Sequence, residues 1–97
     1  WVYGDEITDI GSLDLADHPV RLRRNGAWAE RGNSANVLNN PLHVVAWLAN
    51  HLIERGAYLK SGQLLTTGTM IAVNGAEKGD LVEADYGALG IVTVSFV

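Results

Sequence analysis

Three acidic residues near the C-terminus are spaced in a way that could hold a metal ion. Glu83 and Asp85 lie two residues apart on a predicted strand, so their side chains share one face, and Asp80 is nearby in the sequence. Carboxylate oxygens are the ligands that hard divalent cations prefer. Alternating charge on a solvent-facing strand is far commoner, so we interpret these residues as a solvated face rather than as a metal site.

The histidines and serines do not show the spacing of catalytic or metal-binding groups. His43 and His51 lie eight residues apart on a predicted helix, whereas metal ligands on one helix face are typically about four apart, and His18 precedes a proline in a loop. We expect these histidines at the surface or packed against a partner. None of the serines lies in the Gly-x-Ser-x-Gly context of an activated nucleophile: Ser12, Ser34, Ser61 and Ser95.

Two threonines flank a glycine in the sequence Thr67-Gly68-Thr69, at the end of a short apolar run. A glycine lets another group approach the backbone closely, and threonine hydroxyls can donate hydrogen bonds to a carboxylate. Taken by itself, the segment is more simply interpreted as the end of a strand followed by a turn. Carboxylate binding is the alternative that the residue types leave open.

A β-hairpin is predicted around Asn25-Gly26. Apolar and polar residues alternate over residues 20–23, strand-like sequence resumes over residues 27–30, and Asn-Gly readily adopts the positive dihedrals of a type I′ turn. Arg21 and Arg23 share one face of the first strand. We interpret this face as solvated and balanced by nearby carboxylates, rather than as an anion-binding site.

A helix is predicted over residues 41–55. Asn40 can cap its first N–H groups, Pro41 suits the first helical position, and Gly56 supplies a left-handed stop. Apolar residues occupy nearly every face, including that of Trp47. Because a chain of 97 residues can hardly cover such a helix on all sides, we expect a larger body or another subunit to pack against it.

The remaining sequence is predicted to be irregular at first and β-rich later. Residues 1–4 are predicted as the end of a strand, as if the sequence began within a longer one, and residues 5–17 as an irregular connection. Further strands are predicted over residues 64–67, 81–86 and 91–97, separated by glycine-containing turns. The predicted fold class is α+β, a mostly antiparallel β-sheet or roll with one buried helix, and residues 1–97 are expected to form a single domain.

The composition excludes several classes of partner. Apolar residues make up 47% and charged residues 19%, which is typical of a globular chain. A net charge of −4, with only seven Lys and Arg, argues against nucleic acid. The longest apolar stretch, residues 42–53, is too short and too polar to span a bilayer. The absence of cysteine rules out disulfides and thiolate metal sites and is compatible with the cytoplasm, where we expect the protein.

In order along the chain, these pieces resemble the C-terminal part of the fumarylacetoacetate hydrolase superfamily, in its 2-hydroxypentadienoate hydratase and 4-oxalocrotonate decarboxylase branch. The resemblance covers nearly the whole chain, and Asn39 stands where the family usually has glycine. Its motifs are Val37-Leu38-Asn39-Asn40-Pro41, Val45-Ala46-Trp47-Leu48-Ala49-Asn50, Thr67-Gly68-Thr69, Lys78-Gly79-Asp80 and Leu89-Gly90-Ile91-Val92.

The resemblance implies a metal-dependent enzyme of aromatic catabolism that acts on small 2-oxo acids. In this family Mg²⁺ or Mn²⁺ is held by an upstream Glu-x-Glu pair and a further acidic residue, and it stabilises the enolate formed next to the carbonyl. Those ligands belong to the half that this chain lacks, so we expect no cofactor for the chain alone. The family places substrate contact at Thr67, Gly68 and Thr69.

Two hypotheses of different class follow. In the first, the chain is a fragment or separately encoded half of a 2-oxo-acid hydratase or decarboxylase and is inactive by itself. In the second, it is a non-catalytic β-rich binding or assembly module derived from the same fold. The first requires a companion N-terminal half that supplies the acidic ligands, whereas the second requires stable folding or self-association, and a homo-oligomer is the expected state.

Overall fold

The computed structural model describes residues 1–72 and 74–97. Within them the sheet order is β2-β1-β3-β4, and every neighbouring pair is antiparallel. The predicted α+β class with a mostly antiparallel sheet is therefore confirmed. The elements are β1 (Pro19–Arg24), β2 (Ala27–Asn33), α1 (Pro41–Glu54), β3 (Leu81–Asp85) and β4 (Ile91–Ser95), with short 3₁₀ turns at Ile10–Ser12, Ser34–Asn36 and Gly87–Leu89.

The hairpin between β1 and β2 forms as predicted. Both turn residues are left-handed, with φ of 53° at Asn25 and 82° at Gly26, as a type I′ turn requires. A β-bulge follows Leu22, so that Leu22 pairs with Glu30 while the next residue, Arg23, pairs with Trp28. The bulge increases the local twist of the hairpin.

The apolar core is small and lies on one face of the sheet. Val20 and Leu22 project from this face of β1, and together with Val37 they form the core of the described residues. Residues 65–71 lie across from the same face, where they line a cleft of about 580 Å³ with Val20, Leu22, Ala84 and Tyr86. This segment, rather than the helix, is the second layer over the sheet.

The predicted strand over residues 64–67 is wrong. These residues, two leucines followed by two threonines, belong to no strand of the sheet, although their types favour one. Both edges of β1 and of β3 are already paired, and, among the described residues, residues 64–67 make no backbone hydrogen bonds to the free outer edges of β2 and β4. The predicted strand end at residues 1–4 is also wrong, since these residues belong to no strand of the sheet.

The helix α1 begins at the predicted residue and ends at Glu54, one residue before the predicted end. The Asn40 side chain accepts from the Leu42 N–H at 2.9 Å, Pro41 is the first helical residue, and Gly56 follows with a φ of 72°. The chain itself does not bury this helix, because Pro41 is the only buried residue of α1. Leu42, Trp47 and Ile53 are exposed, as expected for a helix that needs cover from elsewhere. In the described part of the chain, no helix has the length and apolar character to cross a membrane.

Candidate substrate-binding segment

Thr67-Gly68-Thr69 lies in the extended segment between the helix and the sheet. On one side it borders the sheet-facing cleft described above. On the other side it lines a second cleft of about 450 Å³, whose remaining wall is largely apolar and comes from the loop before α1 and from α1 itself: Asn36, Val37, Leu38, Val44 and Trp47. The three predicted residues are therefore accessible to a small molecule, next to a wall suited to a hydrocarbon chain.

The segment is held in place through the carbonyl group of Met70. This oxygen accepts from the Asn33 backbone N–H at 3.3 Å and from the Asn36 side-chain amide at 2.9 Å. Gly32 makes the approach possible, because a Cβ atom at that position would lie 2.0 Å from the Met70 oxygen. Sequence patterns did not identify these three residues, since the partner carbonyl is more than thirty residues away along the chain.

The two threonine hydroxyls are not equivalent. Thr69 Oγ1 donates to the Ile71 carbonyl at 2.6 Å. Its hydroxyl hydrogen therefore already takes part in a hydrogen bond within a local turn. Within residues 1–72 and 74–97, the Thr67 hydroxyl has no hydrogen-bond partner, and its residue is half-buried. Gly68 has a φ of 122°, a conformation that only glycine adopts without strain. Thr67 is thus the hydroxyl available to donate to a bound carboxylate.

The loop before α1 contains two non-glycine residues in the left-handed conformation. Asn39 has a φ of 64°, which confirms that asparagine takes the conformation for which the resemblance has glycine. Leu38 has a φ of 48°, which the sequence did not indicate. Its carbonyl accepts from His43 Nδ1 at 2.8 Å, while the Asn39 N–H donates to Ala35 at 2.9 Å. The loop is therefore held by hydrogen bonds at successive residues.

The acidic residues on β3 face arginines on β1. Asp85 lies 3.2 Å from Arg21, and Glu83 lies 3.6 Å from Arg23. This confirms the interpretation of Arg21 and Arg23 as part of a charge-balanced strand face. Both guanidinium groups also lie over the indole ring of Trp28, 4.7 and 4.9 Å from its centroid.

Asp80 is engaged in a separate set of contacts. It pairs with Arg24 and accepts from the Glu77 N–H and the Asn25 amide, each at 2.8 Å. Together these donors lower the pKa of Asp80 to about 2, the Glu77 N–H contributing most. Asp80, Glu83 and Asp85 are each paired with an arginine, and the described part of the chain contains no group of three or more His, Asp or Glu that could hold a metal ion. These residues do not fit a divalent-cation site.

The three histidines lie in different environments. His18 Nε2 donates to the Tyr86 carbonyl at 2.6 Å, and the His18 backbone N–H donates to the fully buried hydroxyl of Ser34 at 2.7 Å. His51 stacks on Trp47 with ring centroids 4.7 Å apart, and His43 supports the loop at Leu38. The structure does not bring these side chains together, and Ser34 has a structural rather than a nucleophilic environment.

Comparison with known proteins identifies the family. The family model described as fumarylacetoacetate (FAA) hydrolase C-terminal matches residues 1–97. The chain belongs to this family. Among curated members of the fumarylacetoacetate hydrolase family, it is 40% identical to 2-oxo-hept-4-ene-1,7-dioate hydratase of Escherichia coli over 88% of the chain and 32% of the relative. It is 35% identical to 4-oxalocrotonate decarboxylase of Pseudomonas putida over 100% of the chain and 37% of the relative.

The solved structures of the family agree with the fold. The 4-oxalocrotonate decarboxylase from Pseudomonas putida G7, complexed with magnesium and adipate, superposes with a TM-score of 0.90 at 35% identity. The match covers 97% of this chain and 36% of that one. The same enzyme complexed with calcium and acetate gives a TM-score of 0.89. The chain therefore spans about a third of the length of these family members and has the fold of that third.

Proposed function

We propose that this chain is the C-terminal part of a metal-dependent hydratase or decarboxylase that acts on small 2-oxo or 2-hydroxydienoic acids of aromatic catabolism, and that it is inactive alone. The observation that carries the proposal is the position of Thr67-Gly68-Thr69 beside an apolar cleft, in a chain of the fumarylacetoacetate hydrolase family. The curated relatives named above are a hydratase and a decarboxylase, which supports this class of reaction. Its proposed location is the cytoplasm.

In this proposal the chain supplies the wall that binds the acid, not the groups that move protons. Thr67 donates its hydroxyl hydrogen to the substrate carboxylate, and Gly68 lets the substrate approach the backbone. Thr69 shapes the segment through its bond to Ile71. The catalytic cation, Mg²⁺ or Mn²⁺, is held by acidic residues outside this chain, since Asp80, Glu83 and Asp85, the acids whose spacing could suit a metal, are paired with arginines.

The ligands of the structural relative are consistent with such a wall. Adipate and acetate are carboxylates, and adipate also has a methylene chain between its two acid groups. The cleft at Thr67-Gly68-Thr69 offers a hydroxyl for an acid group and the apolar residues Val37, Leu38, Val44 and Trp47 for a hydrocarbon chain. A 2-hydroxydienoic acid has the same two parts, a carboxylate and an apolar chain.

A chimaera tests the proposal directly. This chain would replace the matching C-terminal third of the Pseudomonas putida 4-oxalocrotonate decarboxylase, and decarboxylation and hydration would be assayed with Mg²⁺ and Mn²⁺. We expect turnover by the chimaera and none by the chain alone. Thr67→Val in the chimaera removes the hydroxyl while keeping the shape of the side chain, so KM for the acid should rise. Thr93→Val, on the exposed face of β4, is the matched control.

Two outcomes would contradict the proposal. A folded chimaera without turnover would favour the second hypothesis, a non-catalytic β-rich module that folds or self-associates without a companion. Metal-dependent turnover by the chain alone, abolished by Glu83→Ala or Asp85→Ala, would mean that the β3 acids are ligands after all. Circular dichroism of each protein separates loss of folding from loss of chemistry.

A further inference from the structure

We propose that Leu38 determines which hydrocarbon chains the cleft accepts, and that His43 positions it. This proposal rests on the proposed function, because it assigns the apolar part of the same ligand to the wall opposite Thr67. Leu38 lines the cleft with Thr67-Gly68-Thr69, yet 61% of its surface is exposed. Its side chain therefore contributes little to the core and is available to a ligand.

The backbone of Leu38 is in a conformation that leucine disfavours. Its φ of 48° lies in the left-handed region, where Gly and Asn are tolerated and a bulky apolar side chain is strained. The next residue, Asn39, takes the same conformation at little cost. Strained residues of this kind persist where the surroundings fix them, and they concentrate at functional sites. A leucine at this position is explained by its side chain rather than by its backbone.

The surroundings that fix Leu38 are visible in the loop. His43 Nδ1 donates to the Leu38 carbonyl at 2.8 Å, from the first turn of α1. The flanking N–H groups are also bound, that of Asn39 by the Ala35 carbonyl at 2.9 Å and that of Asn40 by the Val37 carbonyl at 3.0 Å. These bonds define the direction of the Leu38 side chain, and His43 is the one side chain on the described residues that binds the Leu38 carbonyl. His43 is thus a positioning residue.

The ligand that fits is a linear carboxylate with a hydrocarbon chain. Its acid group would lie at the free hydroxyl of Thr67 and its chain against Leu38, with Val44 and Trp47 completing the wall. An acid without a chain would use Thr67 and not reach Leu38. Discrimination between chain-bearing and chainless acids is therefore the property that Leu38 controls.

The test compares adipate with acetate on the 97-residue chain. Binding of each acid would be followed by NMR shifts of the Thr67–Thr69 amides and leucine methyls, at constant ionic strength. Leu38→Asn keeps a side chain of similar size that tolerates the left-handed backbone. We expect it to raise the Kd of adipate about fivefold or more and to leave the Kd of acetate unchanged. Asn39→Gly, in the same loop but outside the cleft, is the control and should change neither.

His43 is tested in the same titrations. We expect His43→Ala to reduce the preference for adipate over acetate, and His43→Gln to restore part of it, because its amide can donate to the Leu38 carbonyl. An unchanged adipate Kd in Leu38→Asn would overturn the role of Leu38, while acetate shifts at Thr67 would still support the proposed function. If neither acid changes the NMR shifts of the Thr67–Thr69 amides, the proposed binding segment and the proposed role of Leu38 are both wrong. Dispersed amide spectra confirm that each variant is folded.

Discussion

The side-chain amide of Asn25 donates to Asp80 Oδ1 at 2.8 Å and joins the β1–β2 turn to the turn before β3. The Asn25 Oδ1 atom also accepts from the Leu81 N–H at 2.9 Å, and the Asn25 backbone N–H donates to the Leu81 carbonyl at 2.8 Å. One residue thus closes a hairpin and sets the start of the neighbouring strand. These bonds determine where β3 begins beside β1, and these two strands form the centre of the sheet.

Substitution of Asn25 should separate its turn role from its linking role. Asn25→Gly keeps the left-handed turn and removes the two side-chain bonds, so the free energy of unfolding should fall by about 1 to 3 kcal/mol. Asn25→Ala also places alanine, which tolerates the left-handed region less well than asparagine or glycine, at a φ of 53°, and this adds about 1 kcal/mol to the loss. Urea denaturation measures both values. Equal stability of Asn25→Gly and the wild type would show that the link to Asp80 contributes nothing.

The stability of the chain should depend on pH through Asp80. Its pKa is lowered from 3.8 to about 2 in the folded state, so the unfolded chain binds the proton more readily. The stabilising contribution is complete above a pH of about 4 and is lost as the pH falls towards 2. As the pH is lowered from about 4 to 2, the melting temperature of Asp80→Asn should therefore fall less than that of the wild type, because the variant has no carboxylate at this position to protonate. Asp5→Asn, in the irregular N-terminal segment, controls for the removal of one charge.

The approach of residues 65–71 to the sheet should depend on Gly32. Gly32→Ala places a Cβ atom 2.0 Å from the Met70 oxygen, so the backbone must move. The free energy of unfolding should therefore fall by about 2 kcal/mol. Hydrogen exchange should also increase over the candidate binding segment. Gly75→Ala is the matched control, because its Cβ would meet no atom within 4 Å. If the two alanine variants have equal stability, the close contact at Gly32 is not what holds the segment.

Self-association is expected through the uncovered helix. Trp47 on α1 is 58% exposed, and burial of a tryptophan side chain contributes roughly 2 to 3 kcal/mol. Trp47→Ala should therefore weaken a homo-oligomer, or the complex with a companion N-terminal half, as measured by sedimentation. Trp28, on the charged face of the sheet, is 57% exposed and is the matched control. A wild-type chain that stays monomeric at tens of micromolar would contradict self-association.

The sequence by itself determined the elements whose signals are local. Asn25-Gly26 specified the hairpin because two adjacent residues that tolerate positive φ are sufficient for a type I′ turn. Asn40, Pro41 and Gly56 specified the ends of α1 because capping involves groups within a few residues of one another. The resemblance carried by the motifs around these positions then identified the family and the candidate binding segment.

Tertiary structure alone decided what that segment can do. Whether residues 64–67 form a strand depended on backbone hydrogen bonds to a sheet edge, which periodicity does not reveal. Thr67 and Thr69 are equivalent in the sequence, and only the bond from Thr69 to Ile71 distinguishes the available hydroxyl from the committed one. The left-handed Leu38 and the contact of Gly32 with Met70 likewise depend on the packing of distant segments. Such contacts are set by the register and approach of whole elements, and residue types along the chain do not encode them locally.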